Sequence, residues 1–423
     1  MASPPTDAPA SLWRNPDFLK LWAGQSLSLV GSQFTLLAMP LIAFIMLDAS
    51  VAEMGVLGAL GRLPMVLFFV VGVWVDRMRR RPMLIWTDLV RAAVLTSVPV
   101  LFFMDMLTLW WLYGVVLIMG VAGVLFEIAY RSYLPALVEP ELLGDGNSKL
   151  QLSESISRFA GPSLAGLLIA ARNAAPVILL VDAASYLVSA LTLGAIRKRE
   201  DPPEQEAGGS MIPAIKAGFA WVMTQPMIRP IAIATAVYSF FDIGVLQTLY
   251  IPFVVAEVGV PAAWTGGVLA VGGVGAIIGA WLSVRLMKKY GPGPVMVWST
   301  IIGNSALILV PLAGGPLWAA IGVLGFSQLL VGICTQVFVV NNITVLQSAT
   351  PREMGGRVIA TIWALGLVPA PLGALLAGLI GETFGMRPVV LGAALIGAIV
   401  PMLVLWFSPV PKMKEVPTAP VPG

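Results

Sequence analysis

A few ionisable side chains interrupt otherwise apolar runs, and they are the groups in this chain that can do chemistry. Asp242 stands 14 residues into the run 228–256 and is the only acid in the interior of an apolar run of the second half. A charged side chain at the centre of a membrane helix costs about 2.5–3.5 kcal/mol on insertion scales, so it faces protein or water and is a candidate for moving protons or ions. Reversible proton binding is one reading of Asp242; a structural hydrogen bond between helices is the other. Glu127 precedes Arg131, and Glu154 precedes Arg158, each by one helical turn and so on one face. These are proton or substrate sites, or neutralising pairs that hold two helices together. The structural reading suits Glu154 and Arg158 better; for Glu127 both stay open. Arg62 has no acid at helical spacing, and Asp182 lies at a similar depth in another run. They pair across helices, or Arg62 is free to meet an anionic substrate. Amides and hydroxyls collect in two further runs, among them Ser32, Gln33, Gln336, Asn341 and Asn342. With Arg62, these are the candidates to line a substrate cavity. The alternative is interhelical hydrogen bonding, worth about 0.6 kcal/mol per bond.

Several chemistries are excluded. Histidine is absent and Cys334 is the only cysteine, so neither a Cys/His metal site nor an intramolecular disulfide is expected. No phosphate-binding loop of the Gly-x-x-x-x-Gly-Lys-[Ser/Thr] type occurs. The net charge of +3 is small, and its cations form no aromatic-studded stripe for nucleic acid. No catalytic residue, metal or cofactor is expected, and the chain is not read as an enzyme.

The elements that position these residues are membrane helices. Charged residues make up 11% of the chain and apolar ones 58%, against about 25% charged in a soluble domain. The bilayer must be the solvent, and lipid leaves helices as the spanning structure. Twelve runs qualify: 18–46, 52–75, 83–103, 108–136, 149–170, 175–195, 228–256, 264–287, 294–313, 316–347, 356–382 and 387–407. Of the 25 Lys and Arg, nineteen fall in the tails or at one set of span ends, two (Arg172 and Arg387) at the other, and four within spans. That asymmetry predicts both termini in the cytoplasm. Residues 1–17 read as a cytoplasmic tail with no cleavable leader, and 408–423 as another. Residues 18–196 and 228–407 read as two six-helix bundles. They are joined by a polar linker, 197–227, in which Ile212, Ile215, Phe219 and Val222 suit a short helix on the membrane surface. The fold class is therefore all-α integral membrane, twelve helices in two bundles.

The halves repeat. At a shift of about 212, Pro40 meets Pro252, Gly55-Val-Leu meets Gly267-Val-Leu, and Gly61 meets Gly273; at 211, Pro140 and Gly144 meet Pro351 and Gly355. Parallel repeats of this kind are a transporter arrangement, with the substrate held near midplane between them. Gly rows in the eighth span (Gly267, Gly272, Gly275, Gly279) read as close helix packing.

Between the second and third spans runs Gly72-Val-Trp-Val-Asp76-Arg77-Met-Arg79-Arg80-Arg81. It resembles the major facilitator superfamily signature Gly-x-Leu-x-Asp-Arg-x-Gly-Arg-Arg, with Trp74 and Arg79 as departures. In the fifth span, Gly161-Pro162-Ser-Leu-Ala-Gly166 is similar to that superfamily's exporter motif, and its repeat partner is Pro371-Leu-Gly373 with Gly378. The superfamily's Arg-x-x-x-Gly motif of the fourth span is missing. Asn15-Pro-Asp-Phe-Leu-Lys-Leu-Trp22, Ser132-Tyr-Leu-Pro135 and Asp182-Ala-Ala-Ser-Tyr186 resemble the bacterial macrolide-efflux and enterobactin-exporter branch. The resemblance implies a secondary transporter of a bacterial plasma membrane working by alternating access. Its cytoplasmic gate would be Gly72, Asp76, Arg77, Arg80 and Arg81, with Asp88 and Arg91 beside them. The expected activity is proton-coupled efflux of amphipathic organic compounds by a monomer, with Asp242 and Glu127 binding the proton. The alternative is transport of one specific metabolite or siderophore. A non-transporting membrane sensor would need a large extra domain, and none is evident.

Overall fold

The computed structural model describes residues 12–66, 78–139, 142–172, 175–198, 200, 211–350, 355–415 and 417. Among them every regular element is helical. Gly72, Asp76 and Arg77 of the charged loop lie outside the described residues, as do Pro140 and Pro351 of the repeat and 199 and 201–210 of the linker.

Local chemistry sets the helix starts. α1 (Pro16–Met46) begins at Asn15, whose side chain accepts from the N–H groups of Asp17 and Phe18 at 3.0 and 3.1 Å. Pro16 takes a first-turn position that needs no N–H. α2 (Val51–Val66) opens with a reciprocal cap: Ser50 N donates to Glu53 Oε2 at 2.8 Å and Glu53 N to Ser50 Oγ at 3.3 Å. α3 (Arg80–Phe103), α4 (Leu109–Leu137), α5 (Leu143–Arg172) and α6 (Ala175–Gly194) follow, then the shorter α7 (Met211–Thr224). The second half comprises α8 (Ile228–Glu257), α9 (Ala262–Tyr290), α10 (Pro292–Leu312), α11 (Leu317–Ala349), α12 (Gly355–Leu367), α13 (Pro369–Phe384) and α14 (Met386–Trp406).

Ten stretches among the described residues are long and apolar enough to cross a membrane. α2 and α5 stand apart for identifiable reasons. The described part of α2 is 16 residues long. α5 starts six residues before the expected 149 and leads with a charged segment that carries Asp145, Lys149, Glu154 and Arg158. In α7, Val222 packs against Ile228, Ala232, Leu346, Val358 and Ile362, whereas Phe219 is exposed. Ile212 and Ile215 have side chains outside the description.

Packing partners recur between the halves. α1 packs on α5 and α6, α3 on α4 and α6, and α2 on α4; correspondingly α8 packs on α13 and α14, α10 on α11 and α14, and α9 on α11. The two most extensive contacts between the halves are α5 with α9 and α2 with α13; α8 also touches α1 and α2, and α12 touches α2. The first two are glycine seams. A Cβ placed on Gly166 would stand 3.3 Å from Gly266 Cα, and one on Gly378 would stand 2.6 Å from Gly55 Cα. Only glycine lets helix backbones approach this closely. Across the second seam Ala52 N also donates to Glu382 Oε2 at 3.0 Å. The contact on α9 falls on Gly266, one residue before the Gly267 that the repeat pairs with Gly55. Gly272, Gly275 and Gly279 pack on Gln328, Leu329 and Ile333 of α11, respectively.

Wide π turns mark the same repeat. α1 ends in one at Ile42–Met46 and α8 in another at Phe253–Glu257, each just after Pro40 or Pro252. Proline cannot donate its ladder hydrogen bond, and the helix adjusts. A third π stretch, Ser239–Leu246, has no counterpart in α1, which is regular α-helix from Pro16 to Leu41. It contains Asp242.

Candidate substrate and coupling site

Both seams lie toward one membrane face. The opposite end carries Asn15 and Arg197, held together by the bonds from Arg197 N to Asp17, and is the linker face. A cavity of about 620 Å³ runs inward from it, from Gln347 and Trp363 near the surface to Asn304 and Cys334 at mid-depth. Its wall comes mainly from the second half: Tyr238 and Ser239 of α8, Ser299 and Thr300 of α10, Thr335 and Phe338 of α11, with Asn342 below them. Arg158 of α5 is the one charged side chain among the described lining residues. An apolar body with a fringe of hydroxyls and amides suits an amphipathic organic molecule.

Asp242 is buried behind this wall. Gln247 Nε2 donates to its Oδ2 at 3.4 Å, and the Tyr238 side chain hydrogen-bonds with both Asp242 and Thr335. Tyr238 therefore joins the cavity to the carboxylate. The π stretch rotates this part of α8 out of regular register, and π turns gather at functional sites. Arg62 of α2 donates through Nη1 to Gly58 O at 2.9 Å and to Thr248 Oγ1 at 3.2 Å, and acts electrostatically on Asp242. Arg62 thus forms no ion pair with Asp242; the acid it acts on lies in the opposite half, and the expected pairing with Asp182 does not form. Asp182 instead accepts from Thr35 and Ser185. Two helices of different halves meet where Arg62 crosses, and sequence spacing carries no signal of that.

The remaining candidates separate. Glu127 accepts from Arg131 Nε at 2.6 Å, and Glu154 from Arg158 Nη2 at 2.6 Å. Both pairs are intrahelical, so neither ties α4 to α5; both arginines are exposed, and Arg131 reaches to 5.9 Å over the Trp363 ring of the second half. Of the expected cavity residues Asn342 lines the wall. Asn341 does not: it is fully buried and donates to Ser283 Oγ at 3.0 Å and Val337 O at 2.8 Å, cross-linking α9 and α11. Gln336 packs on Gly279, Gln33 lies over Gly161, and Ser32 bonds to the Tyr186 hydroxyl at 3.0 Å. The Gly161-Pro162 motif thereby has a steric part to play. Gly161 leaves room for Gln33 of α1, while Gly166 and the Pro162 carbonyl meet Gly266 of α9. Its repeat partner does the same with Gly373 against Gly244 and Gly378 against Gly55.

Asp88 and Arg91, grouped by sequence with the charged loop, are turned into the interior of the first half. They pair at 2.7 Å, with the guanidinium between the rings of Phe126 and Tyr186 at 4.3 and 4.5 Å. The described end of the loop finds a different partner. Glu200, unremarked in the sequence, accepts from Arg80 N at 2.9 Å and Arg81 N at 3.1 Å and so caps α3. Arg81 in turn donates to Leu193 O at 2.9 Å and Gly194 O at 2.5 Å at the end of α6. The pattern Glu-to-helix-start spans 120 residues, beyond the reach of any local signal. Glu200→Gln should lower thermal stability by about 1–3 kcal/mol, the worth of charge-assisted bonds; unchanged unfolding in lipid would remove the capping role.

The sequence matches the family described as transmembrane secretion effector over residues 8–422. The chain belongs to that family of major facilitator transporters. It is 25% identical to the multidrug efflux pump Tap of Mycolicibacterium fortuitum over 434 aligned residues, covering 97% of this chain and 99% of Tap. Similarity to the enterobactin exporter EntS of Escherichia coli O1:K1 / APEC is 28% over 62% of this chain and 59% of that protein. The nucleoside transporter NupG shares the fold, with a TM-score of 0.73 at 14% identity over 92% of this chain and 98% of NupG. This transporter is a multi-pass membrane protein and not an enzyme, as the resemblance in its motifs implied.

Proposed function

We propose that this transporter exports small amphipathic organic compounds from the cytoplasm, driven by protons, through alternating access. The observation that carries the reading is a cavity lined by the linker-side parts of α8, α10, α11 and α12, while the halves meet closely at two glycine seams toward the opposite end. The recurring packing partners support twelve spans in two six-helix bundles, 18–196 and 228–407, acting as a monomer in the plasma membrane. The surplus of Lys and Arg on the linker face supports its being cytoplasmic. Asp242 takes the coupling proton, with Tyr238 linking it to the cavity, and Arg62 senses its charge from the other half. Glu127, held by Arg131 near the cavity mouth, is the second candidate. The charged loop from Gly72 to Arg81 gates the linker face. Efflux agrees with the similarity to the multidrug efflux pump Tap.

A second reading, export of one specific metabolite or siderophore, is favoured by Arg158 at the cavity wall, where an anionic group would dock, and by the likeness to EntS. Compound-accumulation profiling in an efflux-deficient host, with and without an uncoupler, decides between them. Several unrelated amphipathic compounds should fall in accumulation, and the uncoupler should restore them. Reduced accumulation of one compound class alone would select the second reading; no change for any compound would sink both.

A further inference from the structure

We propose that Asp182, deep in the first half, is a proton-binding site separate from Asp242. Three charged side chains are enclosed there together: Asp88 and Arg91 of α3 and Asp182 of α6, exposed by 0%, 7% and 0%. Arg91 is committed to Asp88 at 2.7 Å, and its guanidinium faces are covered by Phe126 and Tyr186. Asp182 lies within electrostatic range of both Asp88 and Arg91, but its direct partners are hydroxyls, Thr35 Oγ1 and Ser185 Oγ.

The charge count decides the matter. Two buried carboxylates lie within electrostatic range of one guanidinium, which forms its ion pair with Asp88 alone, and a buried charge left without a counter-ion is expelled or neutralised. Like charges in one buried site do not both ionise. One proton must therefore reside in the cluster. It does not sit between Asp88 and Arg91, because that pair is already an ion pair. It sits on Asp182, where the acid and the Thr35 hydroxyl can exchange donor and acceptor roles.

The titratable and charged groups facing Asp182 are Asp88 and Arg91 from α3 and Tyr186 from α6, while α1 presents the neutral Thr35 and Ser32. Tyr186 binds Ser32, and both Ser32 and Thr35 are half-buried. These hydroxyls offer the proton a way from Asp182 to the half-buried face of α1. Chains of acids and hydroxyls in spanning helices are built for such transfer.

The test is infrared difference spectroscopy of the full chain in lipid vesicles, stepped through the neutral pH range with protons as the probe. Wild type should show the carbonyl band of a protonated carboxylic acid that Asp182→Asn loses completely and Asp242→Asn keeps. Thr35→Val should shift that band, since it removes the hydroxyl bound to the acid; this second variant decides the matter should Asp182→Asn fail to fold. An unaltered band in Asp182→Asn, or a band lost in Asp88→Asn instead, would overturn the assignment. The inference uses first-half residues alone. Failure of Asp242 as the coupling group, read by transport, leaves the Asp182 band untouched.

Discussion

Gly378→Leu should abolish transport while leaving a folded protein, because it wedges open the seam between α2 and α13. A Cβ at this position would stand 2.6 Å from Gly55 Cα and 2.9 Å from the Ala52 carbonyl oxygen, both backbone atoms that cannot swing aside. Overpacking costs about 1–3 kcal/mol and sometimes more. The two access states of a transporter differ by only a few kcal/mol, so a bias of about 3 kcal/mol moves the populations by roughly two orders of magnitude. The protein is then held away from the state in which the linker-face cavity is open. Cys334 supplies the readout, since it is the only cysteine and lines that cavity. Cys334 is largely buried, so labelling by a membrane-permeant maleimide is slow in wild type and should be at least about tenfold slower still in Gly378→Leu. Equal labelling together with wild-type transport would mean that the seam opens without backbone contact and has no gating role. Gly166→Leu, at the partner seam on α5, should act in the same direction because Gly266 Cα and the Ala263 carbonyl oxygen oppose it.

Asp242→Asn should eliminate gradient-driven export yet leave substrate binding and passive exchange measurable. Asn keeps the shape of the acid and can still bond with Tyr238 and Gln247, but it cannot take up a proton. Reconstituted vesicles should show substrate-driven proton movement for wild type and none for the variant. Tyr238→Phe removes the hydroxyl between cavity and acid, and its rate should fall by about 10–100-fold, the kinetic equivalent of one charge-assisted hydrogen bond. The rival account makes Asp242 a packing residue, in which case Asn lowers thermal stability more than coupling. If the Asn variant still moves protons with substrate, Glu127 becomes the coupling candidate. Arg62→Gln separates the roles further, because Arg62 contacts Thr248 across the halves. It should disturb the access equilibrium and leave the proton site occupied.

Sequence alone determined the solvent of this protein, the runs that become helices, and the repeat. Those follow from local composition: a run of about 20 apolar residues has no other stable form in lipid, and Pro40 and Pro252 act on their own helices. It also picked out Asp242, since a lone acid in an apolar run is costly wherever the helix turns. The seam glycines were visible as motif letters, but their partners were not. Tertiary structure decided the rest. A membrane helix is apolar toward lipid and toward its neighbours alike, so its pattern does not say which side faces inward. That is why Asn342 reaches the cavity whereas Asn341, one residue earlier, cross-links α9 and α11, and why Ser299 and Thr300 passed unnoticed. Arg62 reaching Thr248 of the other half, Glu200 capping α3, and Asp182 coming beside the Asp88–Arg91 pair all depend on helices far apart in the chain. Electrostatic partnership across such distances is a property of packing, and packing of near-uniformly apolar helices is set by where glycines permit contact and where buried charges find each other.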